Sequence, residues 1–185
     1  MKRALAALLL LAGLAYPFAL YALLGKVGML WIILPMALLW LLRACFDNQQ
    51  TRLSRGLALG MAAFLLALGA LSGQQAEMGL RLYPVLVNAM LLAVFALSLS
   101  SGMPLIERLA RLRHGDLPKE GVRYTRKVTQ VWCVFFAANG LVALWLALFG
   151  SLASWTLYNG LISYLLIGAL LLGEWCVRPA QGKRA

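Results

Sequence analysis

The chain has 185 residues, 63% of them hydrophobic and 12% charged, with a mean hydropathy of +0.83 and a formal net charge of +11. That composition excludes an ordinary water-soluble domain, in which about a quarter of residues are charged. It also excludes a nucleic-acid module, because the basic residues sit between apolar runs and not on one face of a soluble fold.

A bilayer core about 30 Å thick takes about 20 apolar residues per helix, and lipid gives the backbone no hydrogen-bond partner, so each crossing closes its own bonds as a helix. Six crossings are expected, at 4–24, 27–42, 56–72, 82–101, 128–149 and 155–177, making an all-α integral membrane protein with one transmembrane domain over 1–185. The first begins behind Lys2 and Arg3, and Gly13 and Ala15 give it some likeness to a cleavable signal peptide. Its apolar run continues to Leu24, longer than a signal peptide needs, which favours a retained helix. The second and third crossings are short, so Arg43 and Arg55 are expected to snorkel to the surface. Gly56/Gly60 and Gly69/Gly73, each pair four residues apart, predict close helix packing for the third, within the bundle in preference to between copies.

Beyond a short outer connection at 73–81 comes the fourth crossing, and then the longest polar stretch, "SGMPLIERLARLRHGDLPKE". Pro104 suits the first turn of a helix, and the pattern after it predicts a short amphipathic cytosolic helix at about 104–113, ended by Gly115 and Pro118. Leu105, Ile106, Leu109 and Leu112 fall on one side, with Glu107, Arg108 and Arg111 on the other. Such a helix lies in the interface plane, leucines in the acyl boundary and arginines among anionic headgroups. Leu105, Arg108, Leu109, Arg111, Leu112 and Arg113 are the candidate surface for anionic lipid or another inner-membrane protein. "RYTRKVTQ" then leads into the fifth crossing, and "GSLAS" joins it to the sixth.

Orientation follows from the cations. Two residues before the first crossing, three between the second and third, seven between the fourth and fifth and three after the sixth place fifteen of the seventeen Lys and Arg residues on one side. Lys26 and Arg81 are the exceptions, so both termini are expected in the cytosol. Trp31, Trp40, Trp132, Trp145, Trp155 and Trp175 lie near the ends of crossings, as an interfacial belt would have them. Cys45, Cys133 and Cys176 fall at or near the cytosolic side, where thiols stay reduced and no structural disulfide is expected.

The inventory of reactive groups is short. Glu174 is the only acid inside a crossing, and Arg178 four residues on makes an interfacial ion pair its expected role. His114 has no second ligand at metal spacing, "GKVG" at 25–28 is too short for a phosphate loop, and no G-x-S-x-G motif occurs. No catalytic, cofactor-binding or metal residue is therefore expected, and the chain reads as a non-enzyme. Asn88, Asn139 and Asn159 are expected to hydrogen-bond between helices, with solute binding as the alternative role. A transporter would show midplane charges, broken helices or a repeat, and Pro35 is the one interruption.

The order of features resembles the bacterial intracellular septation protein A family, also called the inner membrane-spanning protein family. Pro104, Leu105, Ile106, Arg108 and Leu109 of "PLIERLA" look like that family's segment after a hydrophobic crossing. In "WCVFFAANGL", Trp132, Val134, Phe135, Phe136, Gly140 and Leu141 match its aromatic span opening, and Trp155 sits where a tryptophan begins the last span. Departures are the missing acid of the first hairpin, a polar residue at Asn139 instead of after the Gly-Leu, and a family lysine replaced near Asn159. The resemblance implies a multi-pass protein of the bacterial inner membrane, acting without catalysis in envelope maintenance or cell division through contacts with other membrane proteins. The chain is also similar to small accessory proteins of lipid or aryl-polyene biosynthesis and export, and a small solute or lipid transporter is the remaining alternative. Membrane lipids with anionic headgroups and other inner-membrane proteins are the expected partners, and homo-oligomerisation stays open.

Overall fold

The structure is a computed structural model that describes residues 15–23, 30–46, 52–71 and 73–177. Lys2, Arg3, Gly13, Lys26, Arg178, Lys183, Arg184 and the side chains of Arg113 and His114 lie outside the described residues. Among the described residues every regular element is a helix and none is a strand. Helix α1 covers 15–23; α2 is Leu30–Phe46, α3 Arg52–Leu68, α4 Gly73–Ser100, α5 Leu105–His114 and α6 Lys119–Phe149. Helix α7, Leu152–Leu157, passes through a π turn at Tyr158–Ile162 into α8, Ser163–Val177.

Three runs are long and apolar enough to cross a membrane: Gln74–Ser100, Lys119–Phe149 and Leu152–Val177. At 1.5 Å rise per residue each is close to 40 Å or more, enough for the hydrocarbon core and part of the headgroup layer. Leu30–Cys45 and Arg55–Leu68 are apolar but shorter.

The helices begin earlier than hydropathy alone indicates. Residues 73–81, expected as a connection, are the first turns of α4, because Gln74, Gln75, Ala76, Glu77 and Met78 are good helix formers. The polar stretch before the fifth crossing is helical from Lys119, with the Val122 amide donating to the Pro118 carbonyl at 3.1 Å. The last helix starts at Leu152, where the Ser151 side chain accepts from the Ser154 amide as an N-cap. Helix α5 ends at Gly115, whose φ of +72° is a left-handed value that glycine adopts without penalty, and whose amide donates to the Arg111 carbonyl.

Residues 1–84 with 143–161 form one compact unit and 85–142 with 162–185 a second. In the first, α2 packs on α3, and Leu20, Ile33, Leu65, Leu80 and Trp155 are fully buried. Arg55 Nε donates to the Ala44 carbonyl at 3.0 Å, so this arginine braces the end of α2 instead of reaching only outward. Gly69 is in close packing, a Cβ there lying 3.1 Å from Leu30 Cδ2, but a Cβ on Gly56 or Gly60 would meet nothing within 4 Å. The expected internal packing of that pair is therefore not made among the described residues.

The second unit is centred on rings from α4 and α6. Phe95 lies 5.2 Å from Phe136, which lies 5.5 Å from Trp132, in the tilted and edge-on arrangements that ring quadrupoles favour.

Candidate functional site

Within the second unit, α5 presents the side chains expected to meet a partner, with a different division of faces from the one its sequence pattern implies. Glu107, expected on the solvated face, is 3% exposed, and Leu105 and Ile106 are half-buried. Leu109 and Leu112 are instead 55% and 85% exposed, one turn apart on a common face. The reason is ionic: Arg111 bonds Glu107 Oε1 at 2.9 Å and Asp116 Oδ1 at 2.8 Å, so the acid goes inward with its charge matched.

Arg108 is also engaged within the chain, with Nε donating to the Met103 carbonyl and Nη2 to Ser101 Oγ, each at 3.0 Å. The Leu105 amide donates to Ser98 Oγ at 3.0 Å, which fixes the start of α5 to the end of α4. Arg108 and Arg111, two of the three arginines expected among lipid headgroups, thus hold α5 at both of its ends, and among its described side chains Leu109 and Leu112 are the ones most exposed.

Deeper in the same unit, Asn139 of α6 donates through Nδ2 to Asn88 Oδ1 of α4 at 3.0 Å and to Ser163 Oγ of α8 at 3.1 Å. All three residues are buried, and the amide links three helices. The approach is close because residue 140 is glycine: a Cβ there would lie 3.2 Å from Asn88 Cβ. Asn159 belongs to the other unit and bonds within its own helix, donating to the Trp155 carbonyl at 2.9 Å. The bond made in place of the expected interhelical one is therefore local, a side-chain amide returned to the carbonyl four residues earlier at the start of the π turn.

Near the end of α8, Tyr124 Oη lies 3.1 Å from the Glu174 carbonyl and 3.2 Å from Glu174 Oε1. That contact gives Glu174 a partner on α6; Arg178, the partner expected from sequence, lies outside the described residues.

The first unit holds a network that sequence reasoning missed. Pro84 sits inside α4 and has no N–H, so the Leu80 carbonyl four residues earlier loses its helical donor. Tyr16 of α1 supplies one, its hydroxyl donating to Leu80 O at 2.5 Å. The Tyr16 ring packs 4.9 Å from that of Tyr83, whose hydroxyl accepts from Trp40 Nε1 at 3.0 Å. Trp155, 0% exposed, donates its indole N–H to the Arg81 carbonyl at 3.0 Å. The Arg81 guanidinium donates to the Leu146 carbonyl at 2.9 Å and to the Gly150 carbonyl, capping the end of α6. The signal that could have found this network is Pro84 within an apolar run, with Tyr and Trp donors elsewhere in the chain.

This also corrects the reading of the tryptophans. Trp31, Trp145 and Trp175 are exposed as a belt requires, whereas Trp40, Trp132 and Trp155 are buried in protein. Arg81, an exception to the charge asymmetry, has a structural task at the end of α6.

Among the described residues no three of His, Cys, Asp and Glu gather as a metal site. The fold and these contacts define a helical protein with membrane-length helices braced by internal polar bonds. No family model, curated protein or solved structure matches the chain.

Proposed function

We propose that the chain is a six-crossing protein of the bacterial inner membrane with both termini in the cytosol. It acts without catalysis, in envelope maintenance or cell division, by docking other inner-membrane proteins on α5. The observation that carries this reading is the outward pair Leu109 and Leu112 on a helix whose Arg108 and Arg111 are tied to their own chain. A rigidly held helix presenting bare leucines is preorganised for an apolar partner, since little ordering remains to be done on binding. The distribution of cations supports the orientation, and the likeness of "PLIERLA" and "WCVFFAANGL" to the septation family supports the process.

The test is photocrosslinking in intact membranes from a crosslinking residue placed at Leu112, followed by mass spectrometry. Capture of division or wall-elongation proteins supports the reading. Acyl-carrier, acyltransferase or lipid-export proteins would instead favour the biosynthetic accessory role, and capture of lipid alone would reduce α5 to an anchor. Solute handling draws on a different observation, the buried Asn88, Asn139 and Ser163 group, and predicts loss of function on changing those amides with α5 intact.

A further inference from the structure

With Arg108 and Arg111 engaged inside the chain, the cations free to meet a lipid headgroup are sought elsewhere on the second unit. Helix α6 carries them. Arg123 and Lys127 are both exposed, four residues apart and therefore one above the other on the helix surface. No carboxylate pairs with either among the described residues. Like charges at this spacing destabilise a helix unless an anion lies between them. Glu120, in the first turn, stands three residues before Arg123 and seven before Lys127, about 4.5 and 10 Å along the axis, and forms no ion pair with either, so it offsets part of the Arg123 charge and leaves Lys127 without an acid neighbour on this face.

Below the cations the same face turns apolar. Lys127, Gln130, Val131, Val134 and Phe135 line a shallow open groove of about 580 Å³. Val131 and Val134 stand exposed in it, Val134 at 70%. The spacing i, i+3, i+4, i+7 and i+8 is one stripe of a single helix, dropping about 12 Å from the Lys127 level to that of Phe135. Ammonium and guanidinium at the headgroup level, an amide just beneath, and bare valines beneath that form the pattern of one amphiphile laid along the helix.

We propose that this face of α6 is a binding site for an anionic phospholipid, its phosphate held by Arg123 and Lys127 with Gln130 at the glycerol level, and an acyl chain in the groove along Val131, Val134 and Phe135. The site rests on the membrane placement given above and is independent of what docks on α5.

The test uses the full chain, purified in neutral detergent, delipidated and titrated with phosphatidylglycerol or phosphatidylcholine while bound lipid is counted by native mass spectrometry. Phosphatidylglycerol is expected to bind at one site, with affinity falling about 5-fold in R123Q or K127Q and about 30-fold in the double variant. Phosphatidylcholine is expected to bind weakly and alike in all forms. All three variants are first confirmed in the membrane fraction, which separates failed insertion from lost lipid, and crosslinking from Leu112 in the double variant separates this site from the docking role. Equal binding of the two lipids, or a double variant that holds phosphatidylglycerol as tightly as the wild type, overturns the proposal. So does a dimer that the double substitution splits, since a second copy would then own the face.

Discussion

The two units answer the same problem, polar groups inside a greasy chain, with different chemistry. In the first, most of the side-chain donors of the buried network go to backbone carbonyls, Tyr16 to Leu80, Trp155 to Arg81, and Arg81 to Leu146 and Gly150, with Trp40 to the Tyr83 hydroxyl as the exception. In the second, the central bonds run between side chains, from Asn139 to Asn88 and Ser163. The difference follows from where acceptors arise. Pro84 leaves the Leu80 carbonyl, and the end of α6 the Gly150 carbonyl, without a helical donor, and each such group in a low-dielectric interior costs free energy until it is met; the Leu146 carbonyl, which already accepts from the Gly150 amide, takes Arg81 as a second donor. Around Asn139 the helices are uninterrupted and offer no such carbonyl, so the asparagine turns to other side chains, whereas near the end of α8 the Tyr124 hydroxyl again finds a carbonyl, that of Glu174.

This comparison can be broken most forcefully at Arg81. Arg81→Leu removes the charged donor from two carbonyls at the end of α6, and a loss of about 3 kcal/mol in unfolding by mixed micelles of increasing SDS is expected. A loss below about 0.5 kcal/mol would mean that the cap contributes nothing measurable.

A sharper distinction between carbonyl and side-chain acceptors comes from two double-mutant cycles. Tyr16→Phe is expected to cost about 1 kcal/mol in the native chain and almost nothing alongside Pro84→Ala, because that second substitution returns an amide N–H to the Leu80 carbonyl. Asn139→Leu and Asn88→Leu are expected to couple by about 0.6 kcal/mol, the usual size of an interhelical bond in lipid. Additive effects in either cycle would deny that the paired groups act together.

The last expected effect has the opposite sign. Thr156 is buried and its hydroxyl has no partner among the described residues. Thr156→Val keeps the shape and removes the unmet group, so the same unfolding assay should find stability unchanged or raised by up to about 1 kcal/mol. A loss of that size would reveal a bond made to a group outside those described.

Helical class and the three membrane-length helices are legible in hydropathy, because lipid leaves the backbone no other way to cross. Helix starts are not, since Gly73–Arg81 and Lys119–Lys127 are polar enough to look like connections while their residues favour a helix. The short helix at 105–114 is visible in the sequence, but its faces are not: amphipathic spacing treats Glu107 as solvated and cannot foresee that Arg111 will take it inward. Asn88 and Asn139 stand out as polar residues in apolar runs, and their bond is found. Tyr16, Trp40 and Trp155 do not stand out, because indole and phenol suit the headgroup region and a protein interior equally. What decides between these places is a partner, and for Tyr16 that partner is a carbonyl which a proline far away in sequence leaves without a helical donor.

The central claim is that the outward face of α5 carries the function and that the buried amides only hold the helices together. It is tested most directly by recovering crosslinked partners from membranes carrying Leu109→Ser with Leu112→Ser, or Asn139→Leu, at matched protein levels. Partner recovery lost in the α5 variant and kept in the Asn139 variant is the predicted result. Recovery kept in the α5 variant and lost in the Asn139 variant would contradict the account and move the function to the buried amides.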